Sequence, residues 1–347
     1  MRVIIATSIF PFVEGGATCI VDWLGRELCK RGHEVETFEL PFSGDYKEIA
    51  EQLLAFRLID LTGHGDVLIA VRTPSHLLRH HNKRVWFIHH YRGAYDFWGT
   101  EFQSLPNTAE GTACREAILA ADNLGLGEAV QVFSNSRVVR DRLKNFNDID
   151  AEILYPPLFS PERFYFKSYG GYILYFGRLT RHKRQWLAIE ALRHTHTPVR
   201  LAIAGRPDPG EDYYLANLRE LAAKYRLTDR IDFFGDWIGE PQKLDLFASS
   251  LAVGYFPLDE DSYGYVSLEA TAARKPVLTT TDAGGVTELI SDGVNGLVTP
   301  PDPEMIGAAM DCLFLDRNET ERMGQAGAAR IDELGIGWDR VCSRLLS

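Results

Sequence analysis

Short apolar, β-branched runs alternate with amphipathic segments of helical period along almost the whole chain, and this alternation constrains the fold more than any other feature. Repeated strand–helix units build parallel sheets, because a parallel neighbour can be reached only through a crossover that a helix usually supplies. In the first half, strands read at 2–10, 34–40, 66–71, 84–89 and 129–134, with helices at 19–32, 112–125 and 135–146 and a closing apolar segment at 151–157. The stretch PPLFSPERFYFKSYGG, 156–171, interrupts the pattern with three prolines and two glycines and reads as a linker. Alternation then restarts, with strands at 172–178, 199–206, 230–235, 251–257, 276–280 and 296–300 and helices at 185–195, 213–227, 241–250 and 265–274. A chain of 347 residues exceeds one ordinary core and suits two. The expected architecture is α/β: two doubly wound, Rossmann-like domains facing a cleft. The first spans 1–160, the second 161–325, and helices over 326–347 return to the first.

Charge and cysteine content narrow the function. The net charge of −11 disfavours a general nucleic-acid binder, although local capture of a phosphate depends on the local field. The five cysteines are odd in number and show neither CxxC nor metal spacing, which fits a reducing compartment. The opening MRVIIATSIF lacks a cleavage region, and no run reaches the roughly 20 apolar residues of a spanning helix. The expected location is the cytoplasm, with the inner membrane face as a second possibility. The basic stretch RTPSHLLRHHNKR, 72–84, reads as a solvated helix face or as a peripheral contact with anionic lipid.

In open parallel sheets ligands sit beyond the carboxyl ends of strands, and three motifs fall there. In FGRLTRHKRQ, 176–185, Gly177 and Arg178 end a strand and Lys183 precedes a helix. Two cations five positions apart across a tight loop can converge on a diphosphate, or they can belong to a solvated basic loop. In VEGGATCI, 13–20, Gly15 and Gly16 let backbone approach a phosphate closely or simply make a turn. In FPLDEDSYGYVSLEA, 256–270, a helix beginning near Gly264 offers the main-chain N–H groups of Tyr265 and Val266 to phosphate oxygens. Glu269, one turn in, can accept both ribose hydroxyls, and Asp261 can accept hydroxyls of a sugar. The competing reading makes Asp261 or Ser262 a helix cap and Glu269 a surface residue. Residues 259–261 also match a D-x-D metal motif, but Arg178 and Lys183 already supply positive charge, so no metal and no further cofactor is expected.

Together these motifs resemble the retaining glycosyltransferases of family 4, which have the GT-B architecture. The family's paired acids with seven residues between them stand here as Asp261 and Glu269, followed by RKPV at 274–277 and GGVTEL at 284–289. Its GR-L-x-x-x-K loop stands as Gly177, Arg178, Leu179 and Lys183, and its N-terminal GG as Gly15 and Gly16. The resemblance implies a UDP- or GDP-sugar donor held by Arg178, Lys183 and Glu269, with Asp261 on the sugar and the backbone after Gly264 completing the phosphate site. It implies a histidine at a strand end close to the donor sugar, here His89. Tyr91, Arg92, Tyr95 and Asp96 follow it as candidate acceptor contacts. The implied activity is a retaining, metal-independent hexosyl transfer, catalysed with His89, Asp261, Arg178 and Lys183, to a glycan, a lipid-linked acceptor or a small molecule. The sequence departs from the family at Asp261, one methylene shorter than the usual Glu, and at Arg274, where the family has Gly. A non-catalytic nucleotide-sugar or glycan-binding protein of the same fold is the rival reading. A nicotinamide oxidoreductase is a weaker one, since no GxGxxG follows the first strand.

Overall fold

β1 (Arg2–Ile9) is apolar and buried from Val3 to Ala6, so both of its faces are covered, as in an interior strand of a parallel sheet. It opens a computed structural model that describes residues 1–9, 16–208, 211–235 and 238–347. After it come α1 (Gly16–Lys30), β2 (Glu34–Pro41), α2 (Ile49–Leu58), β3 (Val67–Ala70), β4 (Lys83–Phe87), α3 (Ala109–Gly127), β5 (Gln131–Ser134), α4 (Arg137–Asn147) and β6 (Glu152–Ile153). These strands form one parallel sheet of six in the order β2-β1-β3-β4-β5-β6. β2 carries exposed Glu34, Glu36 and Glu39 and forms an edge, where charge discourages further pairing. The Thr108 and Ser136 side chains accept the N–H groups of Gly111 and Val139 and so start α3 and α4.

The second sheet uses β7 (Tyr172–Phe176), β8 (Arg200–Ala204), β9 (Ile231–Phe234), β10 (Ala252–Gly254), β11 (Val277–Thr280) and β12 (Gly296–Thr299). Between them run α5 (Gln185–Leu192), α6 (Asp212–Lys224), α7 (Glu240–Ser249), α8 (Tyr265–Ala272) and α9 (Val286–Leu289). After them come α10 (Pro303–Leu315), α11 (Arg317–Leu334) and α12 (Trp338–Leu346). Its order, β12-β11-β10-β7-β8-β9, is again wholly parallel. Ile173, Leu201, Val253 and Leu278 from the sheet are buried with Leu187, Phe247, Leu268 and Met310 from the helices.

The chain divides into Met1–Pro157 with Ile336–Ser347, and Leu158–Gly335. The boundary expected at 325/326 falls inside α11, one continuous helix that runs from its Asp316 cap to the left-handed Gly335 and belongs to the second unit. α12 belongs to the first unit, against α1. Its Val341, Cys342 and Leu345 are buried, Arg84 donates to the Leu345 carbonyl at 3.0 Å, and Arg344 pairs with Glu152.

Two other readings change. α2 escaped the sequence reading, although Ile49, Leu53 and Phe56 recur at helical spacing and are its buried face. The basic stretch 72–84 is mostly interior rather than a solvated helix face: Ser75, His76, Leu77, Leu78, His80, Lys83 and Arg84 are buried, and only Arg79 and His81 are exposed. Lys83 and Arg84 begin β4, so their side chains leave the sheet within the fold. No helix among the described residues is long and apolar enough to cross a membrane.

Candidate active site

In the second unit the chain lays β7, β8 and β9 side by side, then crosses back to place β10 against the other edge of β7. Loops leaving β7 and β10 therefore part in opposite directions and open a crevice at the carboxyl ends of those strands. The first and third sequence motifs are these two loops.

The loops are stitched together. The Leu258 N–H donates to the His182 carbonyl at 2.8 Å. Buried Tyr175 donates its hydroxyl to the Lys183 carbonyl and accepts the Phe256 N–H at 2.9 Å. Arg184 was legible only as part of a basic run, yet it is the main clamp. Buried, with φ of +56°, it donates to the Phe256 carbonyl at 2.6 Å, the Pro257 carbonyl at 2.9 Å and both Asp282 oxygens at 2.7 Å. A guanidinium so fully used is a structural cation.

Arg178 and Lys183 face the two sides of the same loop differently. Arg178 is half exposed and pairs with Asp208 at 3.0 Å. Lys183 lies deeper, ends a 3₁₀ turn, and donates to the Tyr255 hydroxyl at 2.6 Å and to the Glu260 carboxylate. Neither Asp208 nor Glu260 was singled out by the sequence. Gly177, at φ +142°, lies against Gly205, at φ +150°; a Cβ on Gly205 would stand 1.8 Å from the Gly177 carbonyl oxygen.

Gly264, with φ of +67°, holds the N-cap position of α8, and the Ser262 hydroxyl accepts its N–H at 3.5 Å. A Cβ there would meet the Tyr255 ring at 2.6 Å. One on Gly285 would meet the Ser262 Cα at 2.6 Å, so the 284–285 loop supports the 259–262 loop backbone to backbone. Tyr265 and Val266 are the first two residues of α8, whose N–H groups have no partner within the helix. Ser267, fully buried in the same turn, has a hydroxyl without a protein partner. Asp261 is half-buried in the loop just ahead. Among the described residues no group of three or more His, Cys, Asp or Glu side chains is assembled as metal ligands.

Glu269 is not a surface residue. It is buried on α8 and receives an ion pair from Lys243 of α7, whose ammonium also lies over the Phe164 and Phe176 rings at 5.7 and 5.2 Å. Burial raises its carboxyl pKa, and Lys243 opposes that shift. Lys243 gives no sequence signal, since it sits in a helix remote from every motif. Arg274 adopts the left-handed φ of +56° that a glycine would take without strain, and its carbonyl accepts the Tyr169 hydroxyl at 2.9 Å. Lys275 beside it is buried, donates to the Ser168 carbonyl at 2.5 Å and lies over Phe166 and Tyr169.

In the first unit, His89 follows β4. Its Nδ1–H donates to the His90 carbonyl at 2.8 Å, and its own carbonyl accepts the Thr73 hydroxyl at 3.2 Å. His90 is the buried partner: it donates to Asn147 at 2.8 Å and packs on Phe87 and Tyr95, and burial lowers its pKa. Tyr95, expected as an acceptor contact, is a core residue whose hydroxyl donates to buried Asp122 at 2.7 Å. Its position after the strand put it in the loop, but the turn at Arg92–Ala94 folds its ring inward. Asp96 accepts Arg92 at 2.7 Å and lies 3.4 Å from Arg142, and Tyr91 donates to the Gly44 carbonyl at 3.1 Å. Gly15 lies outside the described residues, and Gly16 is the first residue of α1. An apolar groove lined by Leu53, Leu54, Leu77 and Leu124 lies between α2 and α3.

Residues 162–330 match the family model of glycosyl transferases group 1. The human alpha-1,3/1,6-mannosyltransferase ALG2 is 28% identical over 233 residues, 60% of this chain and 55% of that protein. The D-inositol 3-phosphate glycosyltransferase of Xylanimonas cellulosilytica is 29% identical over 50% of this chain and 40% of its own. The chain thus spans about half the length of these curated relatives. HepE of Anabaena, solved with UDP and glucose, superposes with a TM-score of 0.72 at 17% identity, covering 99% of this chain and 98% of its own. The fold is that of the GT-B glycosyltransferases, with two parallel α/β sheets in series.

Proposed function

We propose, for a chain whose residues 162–330 belong to the group 1 glycosyl transferases, that it transfers a hexosyl group from a nucleoside-diphosphate sugar, with UDP or GDP as the nucleotide, to a glycan, lipid-linked or small-molecule acceptor. The observation that carries this reading is the convergence of two loops at the β7/β10 switch. In this reading they bring Arg178, Lys183 and the start of α8 to one crevice with Asp261 and Glu269. In this reading Arg178, Lys183 and the N–H groups of Tyr265 and Val266 hold the diphosphate. Gly177 and Gly264 let its oxygens approach main chain. Glu269, oriented by Lys243, accepts the ribose hydroxyls.

Negative charge grows on the leaving diphosphate as the glycosidic bond breaks, and fixed cations with preoriented N–H dipoles stabilise that charge more than they stabilise the ground state. No metal is needed for this role where two side-chain cations fill it. Asp261 faces the sugar, where positive oxocarbenium character develops. The acceptor attacks from the face the diphosphate leaves, and a departing phosphate oxygen takes the hydroxyl proton, so the configuration is retained. His89, with Nδ1 held by the His90 carbonyl, would meet substrate through Nε2. Arg92 and Asp96, fixed by each other, and Tyr91 remain the acceptor-side candidates, and the cytoplasm remains the proposed place of action.

The test is the release of nucleoside diphosphate from a panel of UDP- and GDP-sugars, with and without a chelator. Turnover that survives chelation supports the reading. Loss restored by Mg²⁺ or Mn²⁺ removes the metal-independent part of it. Tight nucleotide-sugar binding without release under any acceptor would favour the non-catalytic binding protein.

A further inference from the structure

We propose that Glu260 is a specificity-determining residue of the nucleotide site. Its carboxylate occupies the Lys183 ammonium as an internal anion, and a ligand reaches that ammonium only by bringing enough phosphate charge to displace it. The inference rests on the reading of Lys183 as a diphosphate contact.

Three groups close a ring at this point. Lys183 Nζ donates to the Tyr255 hydroxyl at 2.6 Å and to Glu260 Oε2, and the same hydroxyl donates to Oε2 at 3.1 Å. The Lys183 and Glu260 side chains are only 12% and 19% exposed, so solvent and salt screen them weakly. The neighbouring Arg178–Asp208 pair is 50% and 31% exposed and opens into water. The two cations of the loop are therefore unequal: one is held loosely, the other is occupied.

Glu260 can let go without disturbing the loop. Its N–H donates to the Ala283 carbonyl at 3.3 Å, and its carbonyl accepts the Gly285 N–H at 2.9 Å. The Asp259 N–H, one residue earlier, donates to the Asp282 carbonyl at 2.9 Å. Gly284 and Gly285 press on this backbone with no room for a Cβ: the nearest atoms are 2.5 Å away at Glu260 and 2.6 Å at Ser262. With the main chain fixed on both sides, release takes place by rotation of the Glu260 side chain alone, and Asp261 keeps its position. A terminal phosphate brings up to two charges and three acceptor oxygens to Lys183 and replaces the carboxylate with a better partner. A ligand without phosphate there gains nothing from Lys183. Glu260 thus lowers affinity for every ligand that uses Lys183, and only a well-charged one overcomes it.

Calorimetric titration of the full chain with UDP, GDP, uridine and guanosine tests this on wild type, Glu260→Gln and Glu260→Asp. A seat open only a fifth of the time costs about fivefold in apparent affinity. Glu260→Gln is therefore expected to bind the diphosphate that wild type prefers about fivefold more tightly or better, with the nucleoside unchanged. Glu260→Asp, which reaches less far, shifts the same way by a smaller factor and serves if the Gln variant does not fold. Unchanged or weaker diphosphate binding in these variants overturns the inference, as does an equal gain for the nucleoside. Binding of neither UDP nor GDP to wild type overturns the donor-site reading and the inference with it.

Discussion

Replacing Gly264 with Ala puts the smallest possible side chain at a crowded turn of the candidate site. Gly264 sits at φ +67°, ψ 136°, a region that residues with a Cβ rarely enter, at a cost of about 1–3 kcal/mol. The added Cβ would lie 2.6 Å from Tyr255 Cε1 and 3.0 Å from its Cζ and hydroxyl. Tyr255 is only 4% exposed and cannot swing away freely, so overpacking adds about 1–3 kcal/mol. The sum is about 2–6 kcal/mol, and at roughly 2–4 °C per kcal/mol for a domain of this size the melting temperature should fall by about 4–24 °C. Because Tyr255 holds both Lys183 and Glu260, the part of the strain relieved by shifting its ring appears as lost ligand affinity, about tenfold for each 1.4 kcal/mol. Differential scanning calorimetry and titration with nucleoside diphosphate measure the two effects. Gly63→Ala is the control, since a Cβ there meets nothing within 4 Å, and it should stay within about 0.5 kcal/mol of wild type. A Gly264→Ala variant that melts and binds like wild type would refute the argument that this turn requires glycine.

Arg178→Ala and Lys183→Ala should each weaken nucleoside-diphosphate binding by about tenfold or more, since charge-assisted bonds contribute about 1.5–3 kcal/mol; unchanged calorimetric binding in both would remove the loop from the site. Glu269→Ala should mainly raise the donor KM, whereas Asp261→Asn should lower kcat more than it weakens diphosphate binding. Full kcat in folded Asp261→Asn would sink the role given to that acid. Burial pushes the Lys275 ammonium down from 10.5 to about 7, against the pull of the Ser168 carbonyl and two aromatic rings. Above that pH the folded chain sheds a proton that the unfolded chain keeps until about 10.4, so stability should rise with pH across this window, by at most about 1.4 kcal/mol per unit. Urea midpoints of wild type relative to Lys275→Met, followed from pH 6.5 to 9.5, should show the rise; a constant difference would refute it.

Most strands were legible because their signals are local. Runs such as VLIA at β3 or VLTT at β11 are short, β-branched and buried on both faces, and nothing else suits them. The loops of the candidate site were legible because the glycines and charges lie next to strand ends. Partners brought in from other elements were not. Lys243 reaches Glu269 from α7, Asp208 reaches Arg178 from the loop after β8, and Arg184 reaches Asp282 across 98 positions. Each is a common charged residue at an unremarkable position, and only the order of strands makes it a neighbour. The same holds for Tyr95: sequence puts it in a loop after β4, while its burial depends on Asp122 in α3. The left-handed Arg274 shows the converse, since a turn that glycine usually makes is held here by contacts of its carbonyl and of Lys275 with residues 168 and 169.

The return of α12 has a consequence for synthesis. Leu158–Gly335 is continuous in sequence, whereas the first unit needs both Met1–Pro157 and Ile336–Ser347. On a ribosome the unit that begins second can therefore finish first. The first can pair its six strands early, but the ground on which Val341, Cys342 and Leu345 will settle stays bare until residues 338–346 have emerged. At roughly 5–20 residues per second that interval lasts about ten seconds or more, during which α1 and the end of β6 lack their cover. Excision follows the same logic: Leu158–Gly335 can be expressed as one uninterrupted piece, while any version of the first unit requires a joint between residues 157 and 336.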